Sequence, residues 1–170
     1  MSGWLLLWVT ILISLYTDVK SRRIYNKVVI PAMVLGLGLN GLEQGWPGLV
    51  FSLEGLLVGL GLFLIPFLLG GIGAGDVKLM GAIGAIKGFP FVILTGLGTG
   101  VAGGVIALII LIRQGQLLTA IKRLSLSLRL FLGGDKGSSL QTLDKTEYSS
   151  SFPYGVAITC GTLMATFYWF

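Results

Sequence analysis

The sequence predicts an all-α, polytopic membrane protein of six transmembrane helices, forming a single domain over residues 1–170. Three observations carry this. The chain is 54% hydrophobic, only 11% charged and has a mean hydropathy of +0.91, values that a soluble domain of its length does not tolerate. Its apolar residues fall into runs at about 3–17, 28–42, 49–72, 77–86, 91–112 and 153–170, separated by polar or glycine-rich breaks. Its 27 glycines include Gly55/Gly59, Gly96/Gly100 and Gly100/Gly104, a four-residue spacing that lets helix backbones approach closely in lipid.

The first run has no basic residue before it and no small-residue cleavage site after it, so it is expected to stay as a membrane helix and not be removed as a signal peptide. It gives way to Asp18 and a basic connection holding Lys20, Arg22, Arg23 and Lys27. The second and third runs follow, and the stretch GGIGAGDVKLMGAIGA at 70–85 opens the fourth, which Lys87, Gly88 and Pro90 interrupt before the fifth begins. Residues 113–151 form the one long connection. Its first part sets Leu117, Leu118, Ile121, Leu124 and Leu128 at helical spacing beside Lys122, Arg123 and Arg129, which predicts an amphipathic helix on the membrane surface near 115–131. The rest, GGDKGSSLQTLDKTEYSSS, has the composition of a connecting loop. The last run carries Cys160, the one cysteine, expected as a small buried residue.

Of the twelve lysines and arginines, all but Lys87 fall on the first, third and fifth connections. The positive-inside rule makes those connections cytoplasmic and sends both termini outward, in the cell inner (cytoplasmic) membrane. The net charge of +5 thus describes one face of a bundle in contact with anionic membrane lipids, and does not argue for nucleic-acid binding. With no histidine and a single cysteine, the chain cannot build a histidine zinc site, a Ser-His-Asp triad, a Cys-His pair or an internal disulfide. Its chemistry must come from carboxylates, lysines or hydroxyls.

Two of the seven acidic residues sit where an apolar run meets a cytoplasmic connection: Asp18 in SLYTDVKSRRIYN and Asp76 in GIGAGDVKLMG. The topology was set by lysines and arginines alone, yet it puts both carboxylates on the same side. The fourth run is too short to cross a hydrocarbon core of about 30 Å, so Asp76 is expected near or below the headgroups. An ionisable residue held at that depth is costly and points to function. Two carboxyl groups in a partly desolvated site can share one proton, the ionised member taking a proton from water while the protonated member donates to a substrate carbonyl oxygen. This scheme hydrolyses a peptide bond with no metal and no cofactor. Gly73 and Gly75 are expected to give the backbone beside Asp76 tight or positive-φ freedom and to admit an extended substrate. Singly, each aspartate also has a plain structural explanation: Asp76 as a helix cap, Asp18 as a partner of Lys20 or Arg22.

These residues resemble the type IV prepilin peptidases and the related preflagellin peptidases, membrane aspartyl proteases of the GxGD class. Gly73, Gly75, Asp76, Val77, Lys78 and Leu79 in GAGDVKLMGAIGA match that family's second motif. Asp18, the basic stretch after it and Ile24-Tyr25-Asn26 are similar to its first, with Tyr25 where the family has proline; FPYGVAI at 152–158 is similar to the Pro-Tyr-Gly that opens its last helix. The resemblance implies that Asp18 and Asp76 are the catalytic pair, with Gly73, Gly75, Lys78 and Asn26 as supporting motif residues. It implies a pilin-like precursor as substrate, cut after its short leader at the cytoplasmic face. It also implies a minimal form, without the cysteine-bearing N-terminal region of larger members and without their methyltransferase activity. Lys78, two positions from Asp76, does not share its helix face, and reads first as a snorkelling lysine and second as an electrostatic tuner.

Other classes fit parts of the pattern. An ion or proton transporter also uses aspartates beside broken helices, but would bring inverted repeats and mid-membrane polar residues. A non-catalytic pilus-assembly membrane protein would recognise a pilin helix through small-residue faces and would not need the two aspartates. A presenilin-like protease shares GxGD but has Tyr-Asp at the first site, where this chain has Thr17 before Asp18.

Overall fold

A computed structural model of the chain describes residues 2–115 and 154–169. Among the described residues all regular structure is helical: α1 (Ser2–Ser21), α2 (Asn26–Gln44), α3 (Trp46–Leu68), α4 (Ala74–Arg113) and α5 (Tyr154–Trp169). Three helices are long and apolar enough to cross a membrane, over Gly3–Ser21, Trp46–Leu68 and Ala74–Arg113. The fourth and fifth expected runs are thus the two limbs of one element, α4, which breaks at Gly88 (φ 79°, ψ 176°). Pro90 lies just beyond the break and has no amide hydrogen to give back to the first limb. The amphipathic helix expected near 115–131, and nearly all of the 113–151 connection, lie outside the described residues.

The chain divides into two compact units, residues 1–103 with 152–170, and 104–151. In the first, the initial limb of α4 is the central element: nearly every side chain from Asp76 to Ile86 is buried. The α3 face that meets it is made of Ser52, Gly55 and Gly59. A Cβ on Gly55 would fall on the Gly84 carbonyl, and one on Gly84 on the Gly55 carbonyl, so backbone meets backbone at this crossing. This is the close approach that the Gly55/Gly59 spacing predicts. The second predicted seam is different: Gly100 faces open space among the described residues, and Gly98 instead packs on Gly161 of α5. Gly45 (φ 65°) makes the turn between α2 and α3, a conformation that side chains other than glycine's rarely adopt. Of the second unit, residues 104–113 continue the outer limb of α4.

Candidate active site

Leu7, Ile11, Ser14 and Asp18 recur every three or four residues on α1, and all are buried. They form one face of the helix, and Asp18 is its last member. The helix runs on to Ser21, past the end expected at 17, so Asp18 sits within the last turn and its backbone is satisfied. Arg22 then takes a left-handed conformation (φ 50°), and its amide donates to the Asp18 carbonyl at 2.7 Å. An αL residue that closes a helix in this way is usually glycine. It turns the chain back, so that residues 22–26 form a wall beside Asp18.

Asp76 lies in the first turn of α4. Its Oδ2 accepts from the Gly73 amide at 3.0 Å, and its own amide donates to the Gly73 carbonyl at 3.1 Å. The capping role that Asp76 could play is therefore real, but it uses one carboxylate oxygen only. Oδ1 is buried and has no hydrogen-bond partner among the described residues. Such a group costs free energy unless something satisfies it.

The two aspartates line one cleft of about 410 Å³, together with residues 22–26 and 73–75. Both are more than nine-tenths buried, Asp18 with 6% and Asp76 with 7% of its surface exposed, and they are near enough to repel one another. Neither Gly73 nor Gly75 has positive φ; in that stretch only Gly70 does (φ 76°). Gly75 matters by close approach: a Cβ there would lie 2.9 Å from the Cβ of Ile24, so its bareness lets the 73–76 wall pack on the 22–26 wall. The Lys78 ammonium donates to Oδ1 of Asn26 at 2.9 Å, an exposed bond that joins the start of α4 to the start of α2.

Two neighbours of the pair come from α5. The Gly155 amide donates to Oδ2 of Asp18 at 2.8 Å, and the Tyr154 phenol lies within electrostatic reach of Asp76. The Pro-Tyr-Gly resemblance marked these residues but offered no partner for them.

A model of the type IV leader peptidase family matches residues 4–108, well over half of the chain. The chain belongs to the type IV leader peptidase family. No curated protein and no solved structure matches it. The matched region holds both aspartates and both cleft walls, and membership makes the chain a prepilin-type peptidase, with apolar helices that suit a membrane protein. Gly155 and the rest of α5 lie beyond the match.

Proposed function

We propose that this peptidase is a membrane aspartic endopeptidase in which Asp18 and Asp76 jointly activate water to remove the short leader of a pilin-like precursor, prepilin or preflagellin. The observation that carries the reading is that two aspartates distant in sequence, each more than nine-tenths buried, line the same cleft of a chain in this family. The ionised carboxylate takes a proton from water, whose oxygen attacks the scissile carbonyl carbon; the protonated carboxyl gives its proton to the carbonyl oxygen. On collapse of the tetrahedral intermediate the C–N bond breaks: the carboxyl that took the water proton gives it to the leaving nitrogen, and the other carboxylate takes a proton back from the gem-diol hydroxyl. Gly73, Gly75, Asn26 and Lys78 shape the cleft in this scheme and touch no reacting atom.

Six spans with both termini outside, one domain over the whole chain and cleavage at the cytoplasmic face of the inner membrane belong to the same proposal. What supports them is Arg22 and Arg23 in the cleft lining, Lys78 hydrogen-bonded to Asn26 of the same lining, and Lys87 at the opposite end of the first limb of α4. The test is co-expression with a pilin-like precursor in membranes, following precursor length on gels for the natural chain, Asp18→Asn and Asp76→Asn. Shortening by the natural chain, and by neither inserted variant, is expected. Cleavage by both variants would make the aspartates structural.

A further inference from the structure

We propose that Gly155 is a positioning residue for the reaction: its amide and its missing side chain together fix where the Asp18 carboxylate stands in the cleft. The inference rests on the reading of Asp18 as one of the catalytic pair. Asp18 Oδ2 accepts a hydrogen bond from the Gly155 amide at 2.8 Å, across 137 positions of sequence. A Cβ built on Gly155 would lie 2.7 Å from that same Oδ2 and 3.2 Å from the Asp18 Cβ and Cγ. No ordinary contact to carbon is that short, so any side chain there displaces the carboxylate. Two demands thus meet at one residue, a donor pointing at Asp18 and nothing in the way of its approach.

The donor stands at the start of α5, where amide hydrogens have no partner inside their own helix. Such an amide is a natural holder for a carboxylate oxygen. It occupies one oxygen, Oδ2, and restricts rotation of the group. Asp76 is held differently, by the Gly73 amide three residues before it in its own turn. The first aspartate therefore depends on a separate helix for its orientation, and the second does not. Among the described residues, the charged and titratable groups that share the cleft with Asp18 are Asp76 on α4 and Arg22, Arg23 and Tyr25 on the adjoining wall, with Tyr154 on α5 beside Asp76.

Gly155→Ala is compared with Gly161→Ala on the same helix. Gly161 is less tolerant still of a Cβ, which would meet the Thr99 backbone nitrogen and the Thr95 carbonyl, but it is packed on the second limb of α4 and not on Asp18. For Gly155→Ala, kcat per folded, inserted molecule is expected to fall about 100-fold with KM little changed. Its pH–rate profile is expected to change as well, because the carboxyl group loses the donor that one of its oxygens uses. Gly161→Ala is expected to lose thermal stability while its folded fraction keeps the natural kcat and profile. A folded Gly155→Ala with natural kcat and profile overturns the inference, and so does a change of equal size in Gly161→Ala.

A measurement on the natural chain keeps the test independent of how well the variants fold. Tyr154-Gly155 is the only Tyr-Gly pair in the sequence, so labelling tyrosine carbonyl carbon and glycine nitrogen selects a single amide signal among the 27 glycines. That amide proton is expected to titrate over the range in which activity changes, and to stop doing so in Asp18→Asn. An amide that stays unmoved in both cases overturns the positioning role. Cleavage surviving in Asp18→Asn would instead sink the catalytic reading itself.

Discussion

The two ends of the first limb of α4 start from the same problem, a helix end with unpaired backbone groups and an ionisable side chain beside it, and they are handled in opposite ways. At the Gly88 end the Ala85 and Ile86 carbonyls and the Lys87 ammonium all find side-chain partners. Pro90 has no N–H for the Ile86 carbonyl, and the Asn40 side chain from α2 donates to it at 3.2 Å, to the Ala85 carbonyl at 3.2 Å and to the Ser52 hydroxyl at 2.7 Å. Lys87 is laid over the Trp4 ring, 3.3 Å from its centroid, with Glu43 near enough to attract it. Trp4 in turn meets Phe91 edge to face at 5.7 Å. At the Asp76 end the carboxylate is only half satisfied and a cleft is left open beside it. A bundle that can close one break so completely leaves the other incomplete at a cost in stability, as sites of chemistry commonly do.

The sharpest way to break this contrast is to neutralise the open end. Asp76→Asn, like Asp18→Asn, is expected to lower cleavage by about 10²–10⁴-fold, the range for removing a general acid or base, while the protein stays inserted. Thermal unfolding in detergent is expected to show Asp76→Asn no less stable than the natural chain, because the Gly73 amide can still find the amide oxygen. A large loss of stability with activity retained would reverse the roles of the two ends.

The next largest effect lies between the ends, at the crossing of α3 and α4. Gly84→Ala sets a methyl group against the Gly55 carbonyl, and because both partners are backbone neither can swing aside. Destabilisation of about 1–3 kcal/mol or more is expected, read as a lower Tm in detergent. Gly100→Ala, facing open space, serves as its control and should change Tm little.

Much of this was legible in the sequence. The Gly55/Gly59 spacing marked the crossing, Gly88 and Pro90 marked the break, and Asp18 and Asp76 stood out as a pair because a topology drawn from lysines and arginines put both on one side. The remainder was not legible for a common physical reason: it consists of single long-range contacts between residues with plain local roles. Asn40 reads as an ordinary polar residue in an apolar helix until the break in α4 supplies its acceptors. Lys78 reads as a snorkelling lysine until Asn26 is found opposite it. Gly155 reads as one of many glycines in a membrane chain, and only its approach to Asp18 separates it from the rest. Tight or positive-φ freedom was expected at Gly73 and Gly75; positive φ is found at Gly70, and those two glycines pack against Asp76 and Ile24, a requirement invisible in a local motif.

Asn40 sharpens the contrast from the closed end. Asn40→Leu keeps the approximate volume but takes away the side-chain donor to the Ala85 and Ile86 carbonyls, and leaves the Ser52 hydroxyl with its bond to the Gly36 carbonyl alone. About 1–3 kcal/mol of stability should be lost, with specific activity of the folded enzyme unchanged. Equal loss of activity per folded molecule would mean that the two ends are coupled through the limb between them, and that closing one helps to shape the other.

The smallest expected effect is at the Lys78–Asn26 link, and it bears on what holds the cleft walls together. The bond is exposed, so water competes for both groups and the net stabilisation is about 0.5–1.5 kcal/mol at most. Packing of Ile24 on Gly75 is the other contact between the same walls, and it is a steric fit that water cannot replace. If the walls are set by packing, Asn26→Leu should leave the unfolding free energy within about 1 kcal/mol of the natural chain and reduce cleavage only severalfold, whereas Gly75→Ala should reduce it far more. If instead Asn26→Leu is the more damaging of the two, the hydrogen bond across the cleft mouth, and not the glycine contact behind it, determines the spacing of the aspartates.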